Sequence, residues 1–85
     1  MEQPPVKLYT VSTCAHCKAA RKFLDECTVK YEFTNIDTLD DNEREAVIED
    51  IRKLNPACSV PTILIGNKVI VGFRENLIRE ALGLP

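Results

Sequence analysis

Within its first 27 residues the chain changes hydrophobic period once, and a pair of cysteines sits at the change. Val6, Leu8 and Thr10 alternate with Lys7 and Tyr9, the two-residue repeat of a strand, after a start, Met1-Glu2-Gln3-Pro4-Pro5, that has no periodicity. Past Cys14, the residues Ala20, Phe23, Leu24 and Cys27 recur at helical intervals, while Lys18, Arg21, Lys22 and Asp25 fall largely on other faces. The pattern predicts a strand from near Val6 and then an amphipathic helix from about Ala15 to Cys27. A helix fed directly by a strand buries its stripe by folding back onto the sheet, which selects the α/β class.

The remaining elements follow from the same two periods. Tyr31 to Ile36 is rich in aromatic and β-branched residues, with Tyr31 and Phe33 facing one way and Glu32 and Thr34 the other, so a second strand is expected there. Asp40 with Glu43 three residues on reads as a capping box, and Val47, Ile48, Ile51 and Leu54 form the stripe of a second helix that ends before Pro56. Thr62 to Ile65 and Val69 to Val71 are short β-rich runs joined through Gly66-Asn67-Lys68, where Gly66 can take the positive φ of a tight hairpin turn. Leu77, Ile78, Ala81 and Leu82 give a short last helix that stops at Gly83, before Pro85. The order is β-α-β-α-β-β-α. A βαβ start demands a right-handed parallel crossover and the trailing hairpin adds antiparallel partners, so a mixed four-stranded sheet with helices on both faces is expected.

Composition narrows the function. With 85 residues the chain is expected to form a single domain, 1–85, since two cores will not fit. Its 11 Lys and Arg against 13 Asp and Glu leave a net charge of −2, without the concentrated positive field that a phosphate backbone requires, so no nucleic-acid partner is expected. No apolar run exceeds three residues, too short for a membrane span of about 20 or a signal-peptide core of roughly 7–15, and a soluble, cytoplasmic, monomeric protein is expected. The segment from Asp37 to Asp50 holds seven of the thirteen acids, which on a helix ordinarily means a solvated face. Four cysteines fall below the roughly 8–10% of a disulfide-stapled scaffold. Two of them three positions apart point to redox or metal chemistry.

Cys14-Ala15-His16-Cys17 lies where strand becomes helix, so Cys14 meets free backbone N–H groups and the positive end of the helix dipole. Such a setting lowers a cysteine pKa from about 8.5 toward roughly 3.5–7.5 and produces the thiolate that attacks disulfides. Cys17, one turn on, is placed to close a ring with Cys14 and resolve a mixed disulfide. The competing accounts are half of a zinc site and two inert core thiols. Zinc normally takes four ligands, and this chain has one histidine and no second C-x-x-C, so no metal is assigned. His16, when protonated, would stabilise the thiolate, while an exposed imidazole would do little. Lys18, Arg21 and Lys22 share one side of the helix and either raise the local potential or form a solvated face. Cys27 belongs to the buried stripe.

Three motifs in order carry a resemblance to the glutaredoxin family of the thioredoxin-like fold, spanning nearly the whole chain. They are Leu8-Tyr9-Thr10 with Thr13-Cys14-Ala15-His16-Cys17-Lys18-Ala19-Ala20, then Ser59-Val60-Pro61-Thr62, then Val71-Gly72-Phe73-Arg74. The resemblance implies a cis bond before Pro61 that sets the Val60 backbone beside the cysteines to pair with an extended substrate, with Gly72 and Phe73 in the last substrate-binding loop. It also implies that the loop of Cys58 approaches the same site, as an extra thiol or as a plain loop residue. Glutathione-using members carry a lysine before the active-site turn, a Gly-Gly pair and acids after that pair. Here those positions hold Val11, Gly72-Phe73 and Arg74-Glu75-Asn76, similar to the small glutaredoxin-like redoxins that take electrons from thioredoxin reductase, including those serving ribonucleotide reductase.

Two functions are therefore expected to compete. The first is a disulfide reductase without a cofactor, acting on protein disulfides, in which Cys14 attacks and Cys17 resolves, recharged by thioredoxin reductase rather than glutathione. The second is a [2Fe–2S] or metal carrier that uses Cys14 with further thiols.

Overall fold

The computed structural model describes residues 3–84. Strand β1 (Val6–Thr10) leads into helix α1 (Ala15–Glu26), strand β2 (Glu32–Asn35), a short 3₁₀ turn (Ile36–Thr38) and helix α2 (Asp41–Leu54). The hairpin β3 (Thr62–Ile65) and β4 (Lys68–Val71) follows, and helix α3 (Glu75–Leu82) closes the order. The sheet runs β2-β1-β3-β4, with β1 parallel to β2, antiparallel to β3, and β3 antiparallel to β4. This is the mixed four-stranded sheet that the sequence predicts.

Alternation along the strands divides the sheet into two faces. Val6 and Leu8 of β1 lie opposite Ile65 and Ile63 of β3, and Ile63 lies opposite Ile70 of β4, so all five point the same way. They form one buried cluster with Ala20, Phe23 and Leu24 of α1 and Ile78 of α3. Tyr9 faces the other side and is equally buried, and Ile51 of α2 is 1% exposed without belonging to that cluster. The helices thus serve different faces, α1 and α3 one and α2 the other.

Element boundaries depart from expectation where side chains compete for the backbone. Ile36 leaves β2 and enters the 3₁₀ turn, because Thr38 Oγ1 donates to the Asn35 carbonyl at 2.9 Å and Arg44 Nε donates to the Ile36 carbonyl at 3.3 Å. Tyr31 stays outside β2 with its hydroxyl donating to Asp25 at 2.8 Å. Leu77, expected in the α3 stripe, is 40% exposed, since an eight-residue helix turns only a narrow face to the sheet and Ile78 takes it. The α2 stripe is likewise shallow: Val47, Ile48 and Leu54 are half-buried beside Ile51. The expected cap holds, with Asp40 accepting the Glu43 N–H at 2.8 Å. Gly66 has φ +61° and Asn67 does not share the positive sign, the φ pattern of a type II′ turn. Among the described residues no helix is long and apolar enough to cross a membrane.

Candidate active site

Cys14 is the N-cap of α1. Its backbone is extended (φ −81°, ψ 117°), its N–H donates to the Val11 carbonyl at 3.1 Å, and its carbonyl accepts the first intrahelical bond from Lys18 at 3.1 Å. In that position a serine or aspartate oxygen ordinarily takes an orphan N–H from the first turn. Here sulfur does so, and the Cys17 N–H reaches Cys14 Sγ at 3.2 Å. The His16 N–H points to the same atom. The first turn contains no acid to oppose a thiolate.

The two thiols are driven in opposite directions. Partial burial pushes the Cys14 thiol up, but hydrogen bonds from Cys17 and from the His16 backbone outweigh it, and the net shift is downward. Cys17 is 2% exposed. Burial pushes its thiol up, and its interaction with Cys14 adds to this, to about 11. One sulfur is therefore favoured as a thiolate and the other held protonated.

Register brings the loop before β3 to the same end of the sheet as the Cys14 turn. Tyr9 of β1 lies opposite Thr62 of β3, so Pro61 stands beside the point where β1 gives way to the Cys14 turn. The Val60–Pro61 bond is cis, as the resemblance implies. Gly72 continues β4 past Val71 and donates its N–H to the Pro61 carbonyl at 2.8 Å. Its φ of +83° and the open space where a Cβ would stand suit a residue that presents bare backbone. Phe73 is half-buried and packs on the core, its ring centroid 5.8 Å from that of Phe23, so much of its surface serves packing.

The other sequence-derived residues divide. His16 is exposed, and its backbone rather than its ring reaches Cys14. Lys18 and Lys22 are solvated, whereas Arg21 lies 3.7 Å above the Phe33 ring centre, a stacking contact that the charge pattern alone did not reveal. Cys27 is half-buried against the core. Cys58 is half-buried with φ +53°, and among the described residues no group of three or more His, Cys, Asp or Glu is arranged to hold a metal.

Two supports were not foreseen. Asn55, 6% exposed, donates to Ser59 Oγ at 3.0 Å and Thr62 Oγ1 at 3.3 Å and accepts the Ala57 N–H at 3.2 Å, so one amide ties together the loop before Pro61. Its signal was the Asn-Pro pair at the helix end, a turn-initiating dipeptide. Asp37 accepts both the N–H and the hydroxyl of Ser12, two residues before Cys14. No sequence pattern links residues 25 positions apart.

Known proteins resemble this chain in sequence and in fold. The family model described as glutaredoxin matches residues 6–70. A glutaredoxin-like 8.6 kDa protein in the rubredoxin operon of Clostridium pasteurianum is 30% identical over 77 residues, covering 91% of this chain and 96% of that protein. Among solved structures, the glutaredoxin of Methanosarcina mazei Go1 is 40% identical with a TM-score of 0.88, covering 95% of this chain and 80% of the other. Methanoredoxin of Methanosarcina acetivorans is 38% identical with a TM-score of 0.91, covering 95% and 86%. A family model that matches residues 6–70, with relatives matched over nearly the whole chain, makes this chain a member of the glutaredoxin family, whose chemistry is thiol oxidoreduction.

Proposed function

We propose that the chain reduces disulfides in proteins through the dithiol of Cys14 and Cys17. The observation that carries this reading is the opposed pair of thiols, an N-cap Cys14 lowered by hydrogen bonds from the Cys17 side chain, the Cys17 N–H and the His16 N–H, and a buried Cys17 raised to about 11. The Cys14 thiolate attacks one sulfur of the substrate disulfide, forming a mixed disulfide and expelling the other sulfur as a thiolate that takes up a proton. Cys17 then gives up its proton, attacks Cys14 Sγ and expels the second substrate sulfur. The substrate has gained two electrons and two protons, and the Cys14–Cys17 disulfide remains. Val60, half-buried just before the cis bond to the buried Pro61, with Gly72 bonded to the Pro61 carbonyl and Phe73 next along the chain, is suited to an extended substrate segment, because backbone pairing there does not depend on substrate side chains.

Thioredoxin reductase is the proposed electron donor, rather than glutathione. Val11 offers no cation for a glutathione carboxylate, and the Phe73 ring stands where a second glycine would admit the tripeptide backbone. The test assays one protein disulfide with NADPH and thioredoxin reductase, and in parallel with glutathione and glutathione reductase. Faster turnover in the first system, abolished in Cys14→Ser, is expected. Turnover in the second system alone would reverse the donor assignment. An ultraviolet-visible spectrum of anaerobically purified protein tests the chemistry itself, since visible sulfide-to-iron absorption would identify a cluster carrier instead.

A further inference from the structure

The turn that presents Cys14 is exposed at Ser12 and Thr13, where a surface loop is ordinarily the more mobile part of a fold. Within this turn the one backbone bond is from Cys14 N–H to the Val11 carbonyl. The outside support comes from residues 35–37, at the end of β2. Asp37 accepts the Ser12 N–H at 3.0 Å with one carboxylate oxygen and the Ser12 hydroxyl with the other. Two residues earlier, Asn35 Oδ1 accepts the Thr10 hydroxyl at 2.6 Å, so the chain is fastened just before the turn as well as within it.

The anchoring segment is itself held from behind. Leu39 N–H donates to the Ile36 carbonyl at 3.3 Å and Thr38 Oγ1 to the Asn35 carbonyl at 2.9 Å, which closes the 3₁₀ turn. Arg44 of α2 spans it, with Nε on the Ile36 carbonyl at 3.3 Å and Nη2 on the Leu39 carbonyl at 2.8 Å. An acceptor fixed in this way can define where its donor sits.

From this juxtaposition we propose that Asp37 is a positioning residue for the nucleophile: by fastening Ser12 it holds Cys14 in the extended N-cap conformation in which Sγ receives the His16 and Cys17 N–H groups. The proposal rests on the oxidoreductase reading for its biological meaning, since that reading makes Cys14 the attacking atom. Asp37 touches no reacting atom. Its effect on Cys14 differs in sign from that of a bare carboxylate nearby. Removing a negative charge near a thiolate would lower the thiol pKa, whereas loosening the cap would weaken two hydrogen bonds to the thiolate and raise it.

The experiment reads alkylation of Cys14 across pH, resolved by mass spectrometry on the full chain, in wild type, Asp37→Ala, Asp37→Asn and Ser12→Ala, with folding checked by circular dichroism. In Asp37→Ala the midpoint is expected to move up by about half a unit to one unit, a roughly three- to ten-fold smaller thiolate fraction below it. Asp37→Asn keeps one acceptor oxygen and is expected to fall between alanine and wild type. Ser12→Ala, which keeps the charge and the backbone bond, is expected to move the midpoint up by less. An unchanged or lowered midpoint in folded Asp37→Ala overturns the proposal. Should that variant not fold, an unchanged midpoint in folded Ser12→Ala overturns it equally. Disulfide turnover of the wild type is measured separately. A shifted midpoint without wild-type turnover supports the clamp and removes the oxidoreductase reading, and turnover with an unshifted midpoint does the reverse.

Discussion

The backbone N–H of Cys17 lies 3.2 Å from the sulfur of Cys14, so the residue cast as the resolving thiol also donates to and stabilises the attacking one. Its thiol and its backbone N–H both favour charge on Cys14, while burial makes that same thiol resist charge of its own. The asymmetry needed for ordered exchange is thus built from two atoms of one residue.

This asymmetry predicts the reactivity of the reduced protein. At pH 7 iodoacetamide is expected to modify Cys14 at least about tenfold faster than Cys17, because only the thiolate reacts and Cys17 ionises near 11. The Cys14 rate should level off at a lower pH than that of a free cysteine. Peptide mapping after short exposure checks this, and preferential labelling of Cys17 would reverse the assigned roles.

Asn55 should matter out of proportion to its size. Asn55→Ala leaves the Ala57 N–H without its acceptor and removes the donor to Ser59 and Thr62, all beside a buried strand end. The expected loss is about 1–3 kcal/mol by urea denaturation. A change within a few tenths of a kcal/mol would show that water replaces the amide.

Phe73→Gly separates packing from specificity. Loss of the ring contact with Phe23 is expected to lower stability by about 1–3 kcal/mol, since the site is half-buried rather than closed. It should also raise glutathione-driven turnover several-fold relative to reductase-driven turnover, as bare backbone becomes available. Lowered stability with an unchanged donor ratio would confine Phe73 to packing.

Asp37 gives a signed pH dependence. Hydrogen bonds from the Ser12 side chain and backbone hold its carboxyl below the usual 3.8, so the folded state binds its proton less readily than the unfolded state. Its contribution is present in full above about pH 4 and is lost as pH falls through the lower folded value. The melting-temperature gap between wild type and Asp37→Asn should therefore be constant from pH 5 to 7 and narrow below pH 4. A gap that widens on acidification would contradict this sign.

What could be read in advance was what repeats or sits at fixed spacing. The strand β1, the stripe of α1, the Asp40 cap and the Gly66 turn each announce themselves within a few neighbouring residues, and each is present. The cysteine pair belongs to the same class, since its chemistry follows from a helix start three residues long. Contacts between distant residues were not legible. Ser12 with Asp37, Arg21 with Phe33, and Asn55 with Thr62 join different elements or the two sides of a loop, and only the assembled sheet brings them together. Leu77 shows the converse, an apolar residue in helical phase that the short α3 leaves exposed.

The Arg21 guanidinium over Phe33 also bears on how the molecule behaves in a crowd. β2 is an edge strand, and Phe33 on it is 41% exposed, the kind of apolar border onto which a second chain can add its own strand. A cation laid across the ring, with Glu32 beside it and only four residues of strand to copy, makes that border charged, short and poorly suited as a template. Solubility at this edge is therefore maintained by a residue of the same helix that carries the thiols, and an Arg21 substitution harmless to catalysis would be expected to show itself first as aggregation.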